Sequence, residues 1–360
     1  MRVHVELPEE LDVVEYAERN ARGEIPDRTP YGLHHLAADD VEVTFRRPLG
    51  GVGATVARKV RNRLDAHEAV TSLTGRRQRR GADVVLCMDE RTGVPAALAP
   101  WRPPVVTGTA WLETPDRLAG AHRRLAVAAL RRCDAVFSQS PAMVPLLREH
   151  WGLDPERVHG VTLGIDPEFF PHQPWDGRDA AGGGGGVPMV TSVGDDRGRD
   201  HPTLVEALRL VHAAGTPVRL ELATTRPVEV PSDVGIVHAR RMNAGMRDLY
   251  RRSSVVAVAL HPNPQGSGLT VALEALASGR PVVATDNPGM DSYVEHGRTG
   301  LLVPGDDPQA MADAVAGLLA DPERARKLGE AGRRDVEDRF SSRHMARDLR
   351  AIAREVAARG

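Results

Sequence analysis

Short runs rich in Val and Ala alternate with helix-length segments, and after a glycine run at mid-chain the alternation starts again. In the first half the strand-like runs fall at 2–7, 41–45, 83–88, 104–109, 135–140 and 159–163, with helical patterns at 54–72, 93–99, 115–131 and 141–150. Residues 172–188 hold five consecutive glycines and no periodicity, which predicts a flexible linker. Beyond it the runs recur at 189–193, 218–223, 235–238, 254–260, 281–285 and 301–303. Helices are expected at 201–214, 244–252, 269–278 and 308–319, followed by two helices broken near 340–342. Strands separated by helices of this length form parallel sheets covered on both faces. The expected class is α/β: two doubly wound, Rossmann-like domains facing a central cleft. The domains are expected at 1–175 and 189–341, joined by a hinge at 176–188, with the last helix, about 342–360, packing back on the first.

The 360 residues suit two domains of ordinary size. No apolar run approaches the length of a membrane span. The N-terminus runs straight into a strand-like segment, unlike a signal or transit peptide. Cys87 and Cys133 lie in apolar runs, as reduced core cysteines do. Together these point to a cytoplasmic protein, and the abundance of Arg, Ala, Gly and Pro to a GC-rich bacterial genome. A net charge of -2 gives no general attraction to nucleic acid.

Residues 264–286, PQGSGLTVALEALASGRPVVATD, hold the densest chemistry. Gly266 and Gly268 let a ligand approach the backbone, and the first amides of the helix that follows have no internal partners, so the turn attracts phosphate. Glu274 lies on the face of Ser267, two turns on, at roughly 10 Å. That is a plausible span from a diphosphate to the ribose of one nucleotide. Two rivals stand beside this reading. One is a helix with a glycine turn and an exposed Glu. The other is a dinucleotide fingerprint with Asp286 on the ribose, although Val271 replaces its third glycine and HPNP separates strand from loop.

From about 135 to 340 the chain resembles the retaining GT-B glycosyltransferases of family 4. The resemblance rests on CDAVFSQSPAMVPLLREHWGLDPERVHGVTLGIDPEFF, on SGLTVALEALASGRPVVATDNPGMDSYVEHGRTGLLVPGDD and on DPERARKLGEAGRRDVEDRFS, in that order. It implies that Glu274 holds the donor ribose and that Gly266, Ser267, Gly268, Leu269 and Thr270 form the diphosphate and sugar loop. Residues 192–207 match the segment that brings Gly194 and two cations to the donor phosphates. Arg199 falls on the family's Lys position; the Arg position falls near Asp195, so Arg197 is the substitute. Two guanidiniums in one loop can clamp a diphosphate, yet Asp195, Asp196 and Asp200 are at hand to pair with them. Gln265 stands where the family often has a Glu that meets the donor sugar, and completes the catalytic set with Arg199 and Arg197.

Further departures lie in the first domain, expected to select the acceptor. Gly108 and Thr109 stand where a His commonly ends the strand. A long acidic segment, PEELDVVEYAERNARGEIPDRTPYG, replaces the usual glycine-rich loop. Within it Thr29 and Pro30 can start a helix that leaves Gly32 near the cleft with Thr109. His34 and His35 on that helix would then face different ways.

The implied reaction is hexosyl transfer with retention from a UDP- or GDP-sugar co-substrate, without cofactor or metal. There is no HExxH, no DxD triplet and no Cys/His cluster of ligand spacing. A small acceptor is expected, a natural-product scaffold or a cyclitol. Ten basic residues between Arg46 and Arg80, beside Val52, Val56, Val60 and Leu64, allow peripheral contact with an anionic membrane. Other functions for such a chain are an NAD-dependent oxidoreductase, or a non-catalytic nucleotide-sugar-binding partner of another transferase. A phosphorylase would need a cofactor lysine, and the two lysines, Lys59 and Lys327, lie in charged helix-like stretches.

Overall fold

A computed structural model describes residues 1–48, 77–100, 102–112, 120–172, 186–239, 242 and 245–359. The helix expected at 54–72, the start of that at 115–131 and all but the last residue of the glycine run lie outside the described residues. By contacts the chain divides into two units: Met1–Arg22 with Asp27–Thr162 and Ser342–Gly360, and Gly23–Pro26 with Leu163–Ser341. The division therefore falls before Leu163 rather than near 175. The Leu163 amide donates to the Tyr293 hydroxyl, the Ile165 amide to the Phe340 carbonyl, and Phe170 is buried in the second unit's core.

The first unit carries β1 (Arg2–Glu6), β2 (Glu42–Phe45), β3 (Val84–Cys87), β4 (Val105–Thr109), β5 (Ala135–Ser138) and β6 (Val158–Gly160). They form one parallel sheet in the order β2-β1-β3-β4-β5-β6. β3, β4 and β5 are buried throughout, as expected of strands covered on both faces. Helices α2 (Glu90–Leu98), α3 (Gly120–Arg132) and α4 (Met143–Glu149) alternate with them. Where a continuous acidic loop was expected after β1, Val13–Ala21 forms α1: the Asp12 side chain caps it by accepting from the Val14 amide. No residue of α1 is buried, so the apolar signal that usually marks a helix is missing.

The helix expected from Pro30 is instead a distorted 3-10 segment, Pro30–Leu36, with Tyr31 and Gly32 left-handed at φ 59 and 66. Thr29 Oγ1 accepts from the His34 amide at 2.9 Å, two residues beyond the last position an N-cap serves. The kinked backbone brings the His34 and His35 rings to 3.8 Å of one another, not to different faces. The last helix, α10 (Ser342–Arg359), packs in this unit against the same segment, burying Met345, Leu349, Ile352 and Val356.

The second unit repeats the plan: β7 (Met189–Val193), β8 (Arg219–Ala223), β9 (Gly235–His238), β10 (Val255–Val258), β11 (Val282–Thr285) and β12 (Gly300–Val303). Its parallel order is β12-β11-β10-β7-β8-β9. The helices are α5 (His201–Ala213), α6 (Gly245–Arg252), α7 (Leu269–Ala277), α8 (Pro308–Ala320) and α9 (Pro322–Arg339). One apolar layer centres on Leu204, Leu208, Val255 and Val315, the other on Val256, Leu273, Leu276 and Phe340. The strand order reverses between β7 and β10, and open α/β sheets bind ligands at that switch, beyond the carboxyl ends of the strands.

Arg46 and Arg79, read with the basic stretch as surface charge, are both buried at 3% exposure. The Arg79 Nε lies 3.2 Å from Glu6 Oε1 on β1, and Arg46 reaches Glu9 and the Leu7 carbonyl. These two arginines neutralise a buried carboxylate and cannot meet a membrane. Residues 49–76 of that stretch lie outside the described residues.

Candidate functional site

The loops leaving β7 and β10 lie side by side at the switch point. The His261 amide donates to the Gly198 carbonyl at 2.8 Å and the Asp200 amide to the Ala259 carbonyl at 3.0 Å. A Cβ on Gly198 would stand 2.7 Å from Asn263 Nδ2 and 2.8 Å from Ser267 Cβ, so glycine lets the loops pack. Asn263 and Asn287 exchange hydrogen bonds at 2.9 and 2.8 Å, which fixes HPNP on the loop after β11.

α7 starts after Gly268, left-handed at φ 82, and no side chain caps it. Its first amides and its positive dipole end are thus presented at the site. A Cβ at Gly268 would lie 2.8 Å from Val258 Cγ1. Gly268→Ala is therefore expected to cost about 1–3 kcal/mol through the unfavourable φ and this contact, read as a lowered midpoint in denaturant unfolding.

Arg199 enters from the other loop and is 7% exposed. Its Nε donates to Asp196 Oδ2 at 2.7 Å, and a Cβ at Gly194 would overlap its guanidinium. Its Nη1 is buried with no hydrogen-bond partner. A buried charged donor left unmet costs more than the 1–3 kcal/mol of a neutral one, and an anion at this point removes the cost. The Gly194 carbonyl is held by Thr224 Oγ1 at 2.8 Å and lies 3.1 Å from His201 Nε2, while Asp195 accepts from the Thr225 amide at 2.6 Å. Asp195, at the position expected to carry a cation, is therefore a tether between loops.

Glu274 projects from α7 to the Tyr250 hydroxyl, which donates to its Oε2 at 2.7 Å. Burial pushes its carboxyl up to about 7, against the opposing pull of that hydrogen bond and of the Arg199 charge. Tyr250 is fully buried on α6, and its phenol is pushed up by burial and by Glu274. Arg199, Gly194, Ser267, Gly268 and Glu274 thus lie in the loops and helix at this switch point, with Leu269 buried and Thr270 exposed on the first turn of α7. Gly266 and Gln265 are partly buried on the loop. Arg197 is exposed while Arg199 is buried, so the two guanidiniums do not share one environment as a matched clamp. Residues 259–268 separate β10 from α7, whereas a dinucleotide fingerprint joins strand to helix by a tight glycine turn.

In the first unit Gly32 is buried, and a Cβ there would reach within 2.9 Å of Asp27 Oδ2 and overlap Ser342. Thr109 is buried with its hydroxyl donating to the Phe137 carbonyl at 3.3 Å. Gly108 admits no side chain, because a Cβ would lie 2.8 Å from the Phe137 ring and overlap the Met88 carbonyl. Beside them stands Glu90, which the sequence did not single out: its two oxygens accept from the Ala110 and Trp111 amides, both at 2.9 Å. Burial and the Asp89 charge push Glu90 up to about 7. Tyr250 and Glu90 carry no motif; each is recognisable only once tertiary contacts are known. Among the described residues two groups have metal-like spacing, Asp27 with His34 and His35, and Asp200 with His261 and Asp306. Asp200 also caps α5 and Asp27 accepts from Ser342, so both carboxylates already serve the fold.

The family model for glycosyltransferase family 4 matches residues 19–169, and that for glycosyl transferases group 1 matches residues 188–321. The chain belongs to the GT-B glycosyltransferases of this family. It is 33% identical over 255 residues to the alpha-maltose-1-phosphate synthase of Mycolicibacterium smegmatis, covering 64% of this chain and 65% of that protein. It is 32% identical over 237 residues to the D-inositol 3-phosphate glycosyltransferase of Gordonia bronchialis, covering 59% and 50%. The match thus spans about half to two thirds of the length of these relatives. Among solved structures, sucrose-phosphate synthase from Thermosynechococcus elongatus superposes over 100% of both chains with a TM-score of 0.71 at 19% identity. Anabaena HepE with UDP and glucose gives 0.65 at 18% identity, over 99% of this chain and 100% of that one. Both share the fold. No helix among the described residues is long and apolar enough to cross a membrane.

Proposed function

We propose that the chain transfers a hexose, with retention and without a metal ion, from a nucleoside-diphosphate sugar to a small polyhydroxylated acceptor such as a cyclitol or sugar phosphate. The observation that carries this reading is the buried, unmet Nη1 of Arg199 beside the uncapped start of α7. In the proposed complex the diphosphate takes that donor and the first-turn amides, and the ribose hydroxyls reach Glu274. Positive charge fixed there stabilises the leaving diphosphate as the glycosidic bond breaks. The carboxylates of the β7 loop are engaged: Asp195 with the Thr225 amide, Asp196 with Arg199 and the Gly198 amide, Asp200 with the Thr203 amide. None is offered as a nucleophile. In this reading the acceptor hydroxyl attacks from the face the diphosphate leaves, and a diphosphate oxygen takes its proton. The acceptor class draws on the names of the relatives, a maltose-1-phosphate synthase and an inositol 3-phosphate glycosyltransferase.

The test is a thermal-shift series with UDP, GDP, ADP and NAD, since a ligand that binds only the folded state raises the melting temperature. A shift with one nucleoside diphosphate, absent in Arg199→Ala, is expected and selects the donor for acceptor screens. A shift with NAD alone overturns the reading.

A further inference from the structure

The donor loops account for the anion chemistry of the second unit. A second concentration of cations lies in the first. Arg77, Arg79, Arg80 and Arg102, with Pro100 and Pro103, line a cavity of about 540 Å³. That volume is within the usual range for small-molecule sites. Among its described lining residues there is no carboxylate. The cavity sits at the edge where the strands begin, since Arg80 precedes β3 at Val84 and Pro103 precedes β4 at Val105. Thr109, at the other end of β4, is roughly 15 Å away along the strand. The site is therefore separate from the end of the sheet where doubly wound units bind their substrates.

The four arginines divide by what already neutralises them. Arg79 is buried against Glu6, and Arg102 Nη1 donates to Asp134 Oδ2 at 2.8 Å and to the Pro103 carbonyl at 3.1 Å. α2 ends at this corner, and its terminal partial negative charge is met by Arg132, whose Nε donates to the Ala97 carbonyl at 3.1 Å. Arg77 and Arg80 are exposed and have no ion pair or hydrogen bond among the described residues. Two exposed, uncompensated cations and two compensated ones thus line the cavity. Neighbouring guanidiniums repel one another, and an anionic phosphate group among them offsets that repulsion.

We infer that this cavity is an anion site for a phosphate monoester or diester group, independent of the donor site. The group can come from a soluble phosphorylated metabolite or from a phospholipid headgroup, and the exposed Arg77 and Arg80 would hold either. Its place at the far edge of the sheet makes it a regulatory or anchoring site rather than part of the transfer chemistry.

The experiment titrates inorganic phosphate into the full chain at low salt by calorimetry. It compares the parent, Arg199→Ala and Arg77→Gln/Arg80→Gln, with melting temperatures to confirm that each folds. Phosphate held at the donor loops disappears in Arg199→Ala, so the two sites are read separately. Binding that survives Arg199→Ala and weakens about ten-fold or more in the double variant is expected. Phosphate affinity unchanged by the double variant, or no binding in Arg199→Ala, overturns the inference. Co-sedimentation with vesicles of phosphatidylglycerol and phosphatidylcholine, against phosphatidylcholine alone, then identifies the source. Capture by the anionic vesicles that is lost in the double variant assigns a headgroup; phosphate binding without capture assigns a soluble ligand.

Discussion

Arg199→Ala is expected to weaken nucleoside-diphosphate binding by about 100-fold, the equivalent of roughly 3 kcal/mol from charge-assisted hydrogen bonds at a desolvated site. The size follows from placement. The side chain is 7% exposed, its Nε is committed to Asp196, and its Nη1 has no protein partner. Only a ligand completes it. The fold should survive the substitution, because Asp196 keeps its bond to the Gly198 amide at 2.9 Å and Gly194 keeps the contacts to its carbonyl. Arg199→Lys keeps the charge but not the fork, and should fall between the two. Titration calorimetry with the nucleotide selected by thermal shift decides it. Equal affinity in Arg199→Ala and the parent would remove Arg199 from the site.

Glu274→Gln should stabilise the ligand-free protein at alkaline pH and weaken its hold on nucleotide. The folded carboxyl titrates at about 7, against an ordinary value of 4.5. Between those values the folded state binds the proton that the unfolded state has released. Stability from this group is therefore complete below pH 4.5 and is lost as pH rises through about 7. The accumulated loss is roughly 3 kcal/mol above pH 8. Gln cannot ionise, so the variant should be more stable than the parent at pH 8.5 and match it at pH 4.5, as read by urea unfolding. Nucleotide affinity should move the other way. If ribose hydroxyls donate to the ionised carboxylate, the parent's affinity rises from pH 6 to pH 8 while the variant's stays flat and lower. A parent whose affinity does not change over that range would show that Glu274 is not at the ribose. Tyr250→Phe removes a hydrogen bond to the ionised form and should displace the parent's midpoint upward.

Every expected strand is present within a few residues, because a strand buried on both faces writes itself as an unbroken apolar run, as VVLC at β3 and VVAV at β10 do. The loop after β10 was legible for a related reason. Gly268 is required by local packing, and Glu274 is placed by helical period. What escaped depends on partners distant in sequence. Tyr250 meets Glu274 across 24 residues, and Glu90 meets the Ala110 amide across 20. α1 escaped because it buries nothing, and the close approach of the His34 and His35 rings because two left-handed residues precede it. Arg46 and Arg79 were misread because charge in sequence does not reveal a buried counter-charge, here Glu6 and Glu9.

The return of α10 to the first unit bears on how the chain acquires its structure. Ser342 donates to Asp27, and Arg350 to the His35 carbonyl, each across 315 residues. The second unit, by contrast, is nearly contiguous between Leu163 and Ser341. On a ribosome it can condense as soon as its last helix emerges, while the first unit must wait with a sheet already made and the surface for α10 uncovered. Until α10 docks, an exposed apolar face invites association. The order of events is then inverted with respect to the sequence: the half synthesised second is finished first.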